Sequence, residues 1–356
     1  MDLLRALIVV SEKAANIARA CREDEHLFQL LVQKKNSNEA NPRFVEDFKT
    51  LADVLIQEMV KHDIGHQFKE LSSSIRGEEN NVFKNKLGDK IRVEVKPTEE
   101  DTSNLLEMVL NGDQQAASRL ASEVHRNLEI DSIKTDVPQK NFDIDLSKLG
   151  VWIDPIDCTA EYVHGSPGRR KQNIHVNGLK CVTVLIGAYN KITGLPVMGV
   201  INRPFLDEDD YQLSQRCIWG VALPNFRDSS GLNKSIKRQV VSISSSENEE
   251  IKEKLRHNNV ELVEASGAGY KILTVILGLA DAYVLSKGTT FKWDTCAPHA
   301  VLKALGGDIL DYKKTVENHG MESITYSEEE CACNATGIIA YRDEDFLKEI
   351  VDILKS

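Results

Sequence analysis

The sequence lacks any run approaching the roughly 20 consecutive apolar residues that a bilayer-spanning helix needs, although 41% of its 356 residues are hydrophobic. A helical membrane protein is therefore not expected. It lacks net positive charge. Acidic residues number 55 against 44 basic ones, a formal charge of −11, which argues against nonspecific binding to nucleic acid or to an anionic membrane surface. It also lacks a disulfide framework. The seven cysteines, Cys21, Cys158, Cys181, Cys217, Cys296, Cys331 and Cys333, are odd in number and scattered through a long chain. Cys331-Ala332-Cys333 is too closely spaced for a zinc knuckle and has no second pair, so it reads as surface thiols. Met1-Asp2-Leu3-Leu4-Arg5 has no secretory-leader pattern, and Ser11-Glu12-Lys13 breaks the apolar run that follows. The expectation is a reduced, soluble, cytoplasmic protein, with presence in the nucleus left open.

What is present has ordinary globular composition and enough length for one large or two medium domains. Leu3, Leu7, Val10, Ala14, Ile17, Ala18 and Cys21 recur at helical spacing and predict a helix over 3–33. The polar stretch Lys34–Pro42 ends it. A second helix is expected at Val54–Val60 with Asp53 as a possible N-cap. Ile91–Val95 alternates like a strand, 98–128 read as one or two surface helices, and 133–147 as a loop. Strands are expected at 180–188, 196–202, 217–222, 239–243, 259–263 and 281–285, and helices at 268–279, 294–305 and 343–355. The loop Gly165–Gly178, rich in Gly, Arg and Lys, suggests a boundary between two halves, 1–165 (α+β) and 166–356 (α/β). Leu206-Asp207-Glu208-Asp209-Asp210 reads as a solvated loop.

The chemistry concentrates in four segments. Gly150-Val151-Trp152-Ile153 reads as a buried strand that delivers Asp154-Pro155-Ile156-Asp157-Cys158-Thr159, two carboxylates held by a rigid turn. Such a pair suits a hard cation, and the amides of Cys158-Thr159-Ala160 could open a helix that attracts phosphate. The others are Thr50-Leu51-Ala52-Asp53, Arg76-Gly77-Glu78-Glu79 and Phe291-Lys292-Trp293-Asp294. Each has a plainer alternative: Asp53 and Asp294 as helix caps, Glu78-Glu79 as a solvated turn, Asp154 and Asp157 as an Asx-turn. Other phosphate chemistries lack their signatures. There is no Gly-Lys dipeptide and so no P-loop, no His-Glu-x-x-His, and no cysteine with arginine six positions on; that place after Cys158 is His164. Asp143-Ile144-Asp145, a second aspartate pair, has no hydrophobic strand before it and is set aside.

The ordered set Gly-Glu-Glu, Asp-Pro-Ile-Asp-x-Thr and Trp-Asp, with Ser266-Gly-Ala-Gly-Tyr-Lys271 and Gly306-Gly307, resembles the inositol monophosphatase superfamily of lithium-sensitive, magnesium-dependent phosphomonoesterases. The resemblance runs nearly end to end. It implies a layered α-β-α-β-α, sugar-phosphatase-like fold with two halves, the first carrying most metal ligands, the second Asp294 and the substrate residues. It implies two to three Mg²⁺: Glu78, Asp154 and the Ile156 carbonyl for one, Asp154, Asp157 and Asp294 for another, Glu79 and Glu78 for a weaker third. In-line attack by a metal-activated water would use Thr159, paired with Asp53. Cys158 and Thr159 amides would cradle the phosphate, Ser266, Gly267, Ala268 and Gly269 would approach the substrate ring, and Lys271 would hold a second phosphate as a mobile point charge or else be a solvated helix lysine. Arg169-Arg170-Lys171 would line the mouth or be simply solvated.

Cys158 stands where the family usually has Gly, and Pro298 departs from the usual Trp-Asp helix. Pro298 bears on where that helix starts; Cys158, with Ser266-Gly-Ala-Gly-Tyr-Lys271 and Phe291-Lys-Trp-Asp294, resembles the members that remove the 1-phosphate from inositol 1,4-bisphosphate and inositol 1,3,4-trisphosphate. The alternatives are a 3′-phosphatase of 3′-phosphoadenosine 5′-phosphate and a non-catalytic inositol-phosphate binder. No nucleic-acid or membrane partner is implied, a monomer is expected, and Li⁺ is the expected inhibitor.

Overall fold

The computed structural model describes residues 2–23, 28, 31–35, 48–85, 87–136, 142, 144–206, 215–232, 238–317, 320–327 and 331–356. Most of the Lys34–Pro42 stretch, Asp143 and the acidic run 207–210 lie outside them. The described helices are α1 (Leu3–Glu23), α2 (Leu51–Gln67), α3 (Glu99–Val109), α4 (Gln114–His125), α5 (Thr159–His164), α6 (Glu249–His257), α7 (Ala268–Ile276), α8 (Lys292–Ala304), α9 (Tyr312–Val316) and α10 (Glu344–Lys355). None is long and apolar enough to cross a membrane. The strands are β1 (Val32–Lys34), β2 (Phe48–Thr50), β3 (Ile75–Gly77), β4 (Val82–Lys84), β5 (Lys90–Arg92), β6 (Leu149–Asp157), β7 (Arg170–Lys171), β8 (Ile174–His175), β9 (Thr183–Asn190), β10 (Pro196–Asn202), β11 (Cys217–Leu223), β12 (Phe226–Ser229), β13 (Val240–Ile243), β14 (Glu261–Glu264), β15 (Ala282–Leu285), β16 (Asp308–Asp311) and β17 (Ile338–Tyr341).

Two sheets carry the fold. The first is six-stranded, ordered β12-β11-β10-β9-β6-β3; the second is five-stranded, ordered β14-β13-β15-β17-β16. Helices α1 and α2 cover one face of the first sheet, α7 and α8 fill the space between the sheets, and α6 and α10 cover the far face of the second. This is the expected α-β-α-β-α layering. Strands from both sides of residue 165 share the first sheet, because β6 pairs with β9.

Period two decides which face each residue serves. Val151, Ile153, Val184, Ile186, Val200, Trp219 and Val221 join the core under α1 and α2, while Trp152, Leu185, Tyr189, Ile201 and Ile218 join the core between the sheets. Central strands buried on both faces therefore read as unbroken apolar runs. On the inner face, Gly199 stands in register between Gly187 and Gly220. A Cβ at Gly187 would lie 2.4 Å from Ala297 N, at Gly199 2.0 Å from Ala297 O, and at Gly220 2.7 Å from Val301 Cα. These three glycines form a trough in which the α8 backbone lies directly on the sheet, and that contact sets the height of Asp294.

Several expectations change. The first helix ends at Glu23, and Val32–Lys34 is a strand paired with Phe48–Thr50. Helix α2 begins at Leu51, earlier than Val54. Thr50 is its N-cap, accepting from Asp53 N, while the Asp53 carboxylate reaches back to Thr50 N at 2.7 Å. Asp53 is thus the third residue of a capping box. Asp294 occupies the same place in α8, accepting from Phe291 N at 2.6 Å. Pro298 does lie inside α8. Having no N–H, it leaves the Asp294 carbonyl without its usual helical donor. The Gly165–Gly178 segment is folded too: it contains the β7–β8 hairpin.

Candidate active site

In a regular strand, residues three apart point to opposite faces, which would separate Asp154 from Asp157. The β6–β9 register shifts between them: Asp154 lies opposite Leu185 and Asp157 opposite Thr183. This bulge, built at Pro155-Ile156, inserts one residue and turns both carboxylates to one side. Asp294 joins them from the first turn of α8. Carboxylate oxygens of Asp154, Asp157 and Asp294 all lie within 4.8 Å of one another.

Asp157 is tightly held. Its carboxylate accepts from Ala268 N, Tyr270 N and Thr183 Oγ1, each at 3.3 Å. Gly267 and Gly269 make this approach possible, since a Cβ at either would fall 2.9 or 3.1 Å from Asp157 Oδ2. The glycines expected to approach a substrate ring thus approach a carboxylate. Asp154 Oδ1 and Asp53 Oδ1, by contrast, are buried with no hydrogen-bond partner. Unpaired buried carboxyl oxygens are costly and fit a site shaped for a cation. The all-oxygen donor set suits a hard divalent ion such as Mg²⁺.

The electrostatics agree. Burial, then the charges of Glu78, Asp157 and Asp294, push the Asp154 carboxyl well above its usual range. Burial also raises Asp157, partly offset by Lys271. Asp294 is pushed up to about 8 by burial and then by Asp157, Glu79 to about 8 by burial and Glu78, and Asp53 to about 7 by burial, against its bonds to Thr50. These acids keep protons in the folded state that the unfolded chain has released above pH 4–5, so folding is weakened as pH rises. The metal-free protein should accordingly lose melting temperature between about pH 5 and pH 8, and saturating Mg²⁺ should abolish that fall. Calorimetry in EDTA and in Mg²⁺ checks this; a flat metal-free profile would contradict it.

The second acidic pair is arranged differently. β3 ends at Gly77, where a Cβ would lie 2.1 Å from Gln57 Oε1. Gln57 in turn accepts from Glu79 N at 2.9 Å and donates to Glu79 O. The Lys35 ammonium lies 2.5 Å from Glu78 Oε1 and 2.7 Å from Glu79 Oε1, and Lys49 is 3.7 Å from Glu79 Oε2. A lysine charge therefore stands on the carboxylates expected to face a metal. Neither Lys35 nor Gln57 carried a sequence signal, one lying in a polar stretch and the other within a helix.

Thr159 opens α5. Its hydroxyl donates to the Ile156 carbonyl at 3.0 Å and not to Asp53, so the expected pair is not joined directly here. Cys158 caps α5 at φ 73°, ψ 43°, left-handed backbone that explains why glycine is usual there. Burial pushes its thiol well up, so it holds no thiolate for nucleophilic work. Cys158→Gly is expected to leave activity intact and to change stability by less than about 1 kcal/mol, relief of left-handed strain offsetting lost packing; urea unfolding measures it.

Glu161, also unflagged by sequence, accepts from Ser266 Oγ and from Gly178 N, both at 2.8 Å. Lys271 differs from both expectations. It is fully buried, and its ammonium donates to Ala265 O at 3.1 Å and Gly267 O at 2.7 Å. It is neither a mobile point charge nor a solvated lysine; it fixes the loop that carries Ser266 and Gly267.

The family model described as "Inositol monophosphatase family" matches residues 55–352. The Bos taurus protein "Inositol polyphosphate 1-phosphatase" is 43% identical, covering 99% of this chain and 97% of its own. The Mus musculus "3'(2'),5'-bisphosphate nucleotidase 1" is 28% identical over 96% of this chain and 90% of its own. An inositol monophosphatase from Zymomonas mobilis superposes with a TM-score of 0.54 at 14% identity, covering 99% of this chain and 97% of that one. The layered fold, the clustered carboxylates and these matches agree: the chain belongs to the inositol monophosphatase family.

Proposed function

We propose that this chain is a Mg²⁺-dependent phosphoric monoester hydrolase that removes the 1-phosphate from inositol polyphosphates, with inositol 1,4-bisphosphate and inositol 1,3,4-trisphosphate as substrates. The observation that carries the chemistry is the Asp154–Asp157–Asp294 cluster, three carboxylates within 4.8 Å with a buried oxygen of Asp154 unpartnered. The 43% identity to the bovine relative carries the substrate; the nucleotidase stands further off at 28%.

Asp154, Asp157 and Asp294 would hold the principal ion with a second shared among Glu78, Asp154 and the Ile156 carbonyl, and Glu79 would serve a third once Lys35 withdraws. When bound, the cation neutralises phosphoryl charge and activates water. The protein groups do the positioning. The Thr159 hydroxyl, which donates to the Ile156 carbonyl in the empty site, would have to turn from it to orient the attacking water and pass its proton to Asp53, and the backbone at Cys158 and Thr159 holds the phosphate. Asp53 Oδ1, buried and without a donor, accepts the proton; a carboxylate poised near 7 is matched to that role at neutral pH. Ser266 and the 267–269 backbone border the ring, held by Glu161 and Lys271. The protein acts in the cytoplasm as a monomer.

The test is phosphate release with Mg²⁺ from inositol 1,4-bisphosphate and from 3′-phosphoadenosine 5′-phosphate in parallel, with and without millimolar Li⁺. Preference for the inositol substrate, suppressed by Li⁺, is the expected result. Preference for the nucleotide would move the chain to the sister activity, and binding without turnover would make it a sensor.

A further inference from the structure

The basic cluster Arg169-Arg170-Lys171 is used by none of the chemistry above. It lies on the β7–β8 hairpin, and with Arg256 at the end of α6 it lines a 760 Å³ cleft that Val260–Leu262 and Glu264 also line. We propose that this cleft is a second anion site, distinct from the carboxylate centre, that binds a small free solute carrying clustered phosphates.

Charge is the first argument. All four cations are exposed in a protein of net charge −11; Lys171 and Arg256 are offset by Glu261 and Glu249, so the charge that opposes the global field centres on Arg169. The acids that line the cleft are already engaged: Glu261 with Lys171 at 3.4 Å and Glu264 with the buried Lys252 at 2.8 Å. Arg256 shares Glu249 at 3.3 Å. Among the described residues no carboxylate pairs with the Arg169 guanidinium. Guanidinium forks match phosphate oxygens bidentately, which an ammonium does not.

Rigidity is the second argument. The turn of the hairpin, Gln172-Asn173, has φ 50° and 66°, the pair of positive values that a tight two-residue hairpin turn requires. Lys171 Nζ donates to Leu262 O at 3.0 Å. At the base, Arg169 N donates to Asn177 Oδ1 at 3.0 Å and Val176 N to Arg169 O at 2.9 Å. The segment is thus pinned to β14 and is no freely solvated loop, and prior ordering reduces the cost of binding.

Size selects the ligand. The volume falls within the range of about 300–1,000 Å³ usual for small-molecule sites, and the strong net negative charge repels extended polyanions at long range. The cleft is also a neighbour of the active centre. Leu262 to Gly267 is five residues, at most about 17 Å of extended chain, and none of the lining residues belongs to the carboxylate cluster.

The test uses the full chain in EDTA, so that it is independent of catalysis, with inorganic pyrophosphate as the probe in titration calorimetry. Saturable 1:1 binding is expected, weakened at least tenfold by the double substitution Arg169→Glu/Arg170→Glu and unchanged by Lys313→Glu, an exposed lysine elsewhere. Circular dichroism confirms that each variant is folded. Equal binding by the double variant, or no saturable binding to the unaltered protein, would overturn the proposal. Binding to phosphoinositide-bearing vesicles without binding to pyrophosphate would overturn the assignment to a free solute.

Discussion

Asp154→Asn should lower kcat/KM by at least about 10³-fold, roughly 4 kcal/mol of transition-state stabilisation, and at the same time raise the melting temperature of the metal-free protein. The two effects have one cause. Asp154 is the carboxylate on which Glu78, Asp157, Asp294 and Asp53 all act unfavourably, and one of its oxygens is buried without a donor. Asparagine keeps the shape and removes the carboxyl that must take up a proton to be buried at neutral pH. The cost of that protonation disappears, so the empty fold gains stability, while a carboxylate that faces the cation beside Asp157 and Asp294 is lost. The Mg²⁺-induced rise in melting temperature should shrink in parallel. Retained turnover would remove Asp154 from the proposed chemistry. A fall in metal-free stability, even with turnover lost, would show that its role is structural.

Gly199→Ala should be among the most damaging single methyl additions in the central sheet. The new Cβ would sit 2.0 Å from the Ala297 carbonyl oxygen, and both partners are backbone in a central strand and a buried helix. No side chain can swing aside, so α8 must lift. Overpacking of this kind costs about 3 kcal/mol or more. The lift also moves Asp294, in the first turn of α8, away from β6, and a misplacement of about 1 Å at a reacting centre can cost on the order of 100-fold in rate. Gly306→Ala is the control. It meets nothing within 4 Å but has φ +92°, so it should cost only the left-handed strain of about 1–2 kcal/mol and leave kcat unchanged. Unfolding curves and steady-state rates on both variants decide it; comparable losses at the two positions would discount the trough.

The layers were legible from residue pattern and family resemblance together, and the reason is visible in the cores. β6, β9 and β10 are buried on both faces, so their apolar runs were unambiguous. Short strands were only partly legible: Ile75–Gly77 is too brief to display a period, whereas the alternation at Ile91–Val95 marked a strand that forms as Lys90–Arg92. The Thr50 cap was legible in principle, since Thr-x-x-Asp has the capping-box spacing, but the expectation put the cap on Asp53, three residues too late. The carboxylates were found as residue types at a spacing; that they converge depends on a bulge, which spacing alone contradicts. Lys35, Gln57, Glu161 and the true surroundings of Lys271 were invisible because each acts on partners distant in sequence. Lys271 shows the reverse error as well, a helix lysine whose burial arises only when α7 packs between two sheets.

The carboxylate of Asp157 ends a strand of one sheet and receives the amides that begin α7, which packs against the other. It is a rivet between two slabs. The two sheets therefore have no independent seam along which to slip: sliding one past the other shears those bonds and scatters the aspartates in one event. Loss of catalytic competence on heating and loss of the layered architecture are therefore expected to coincide.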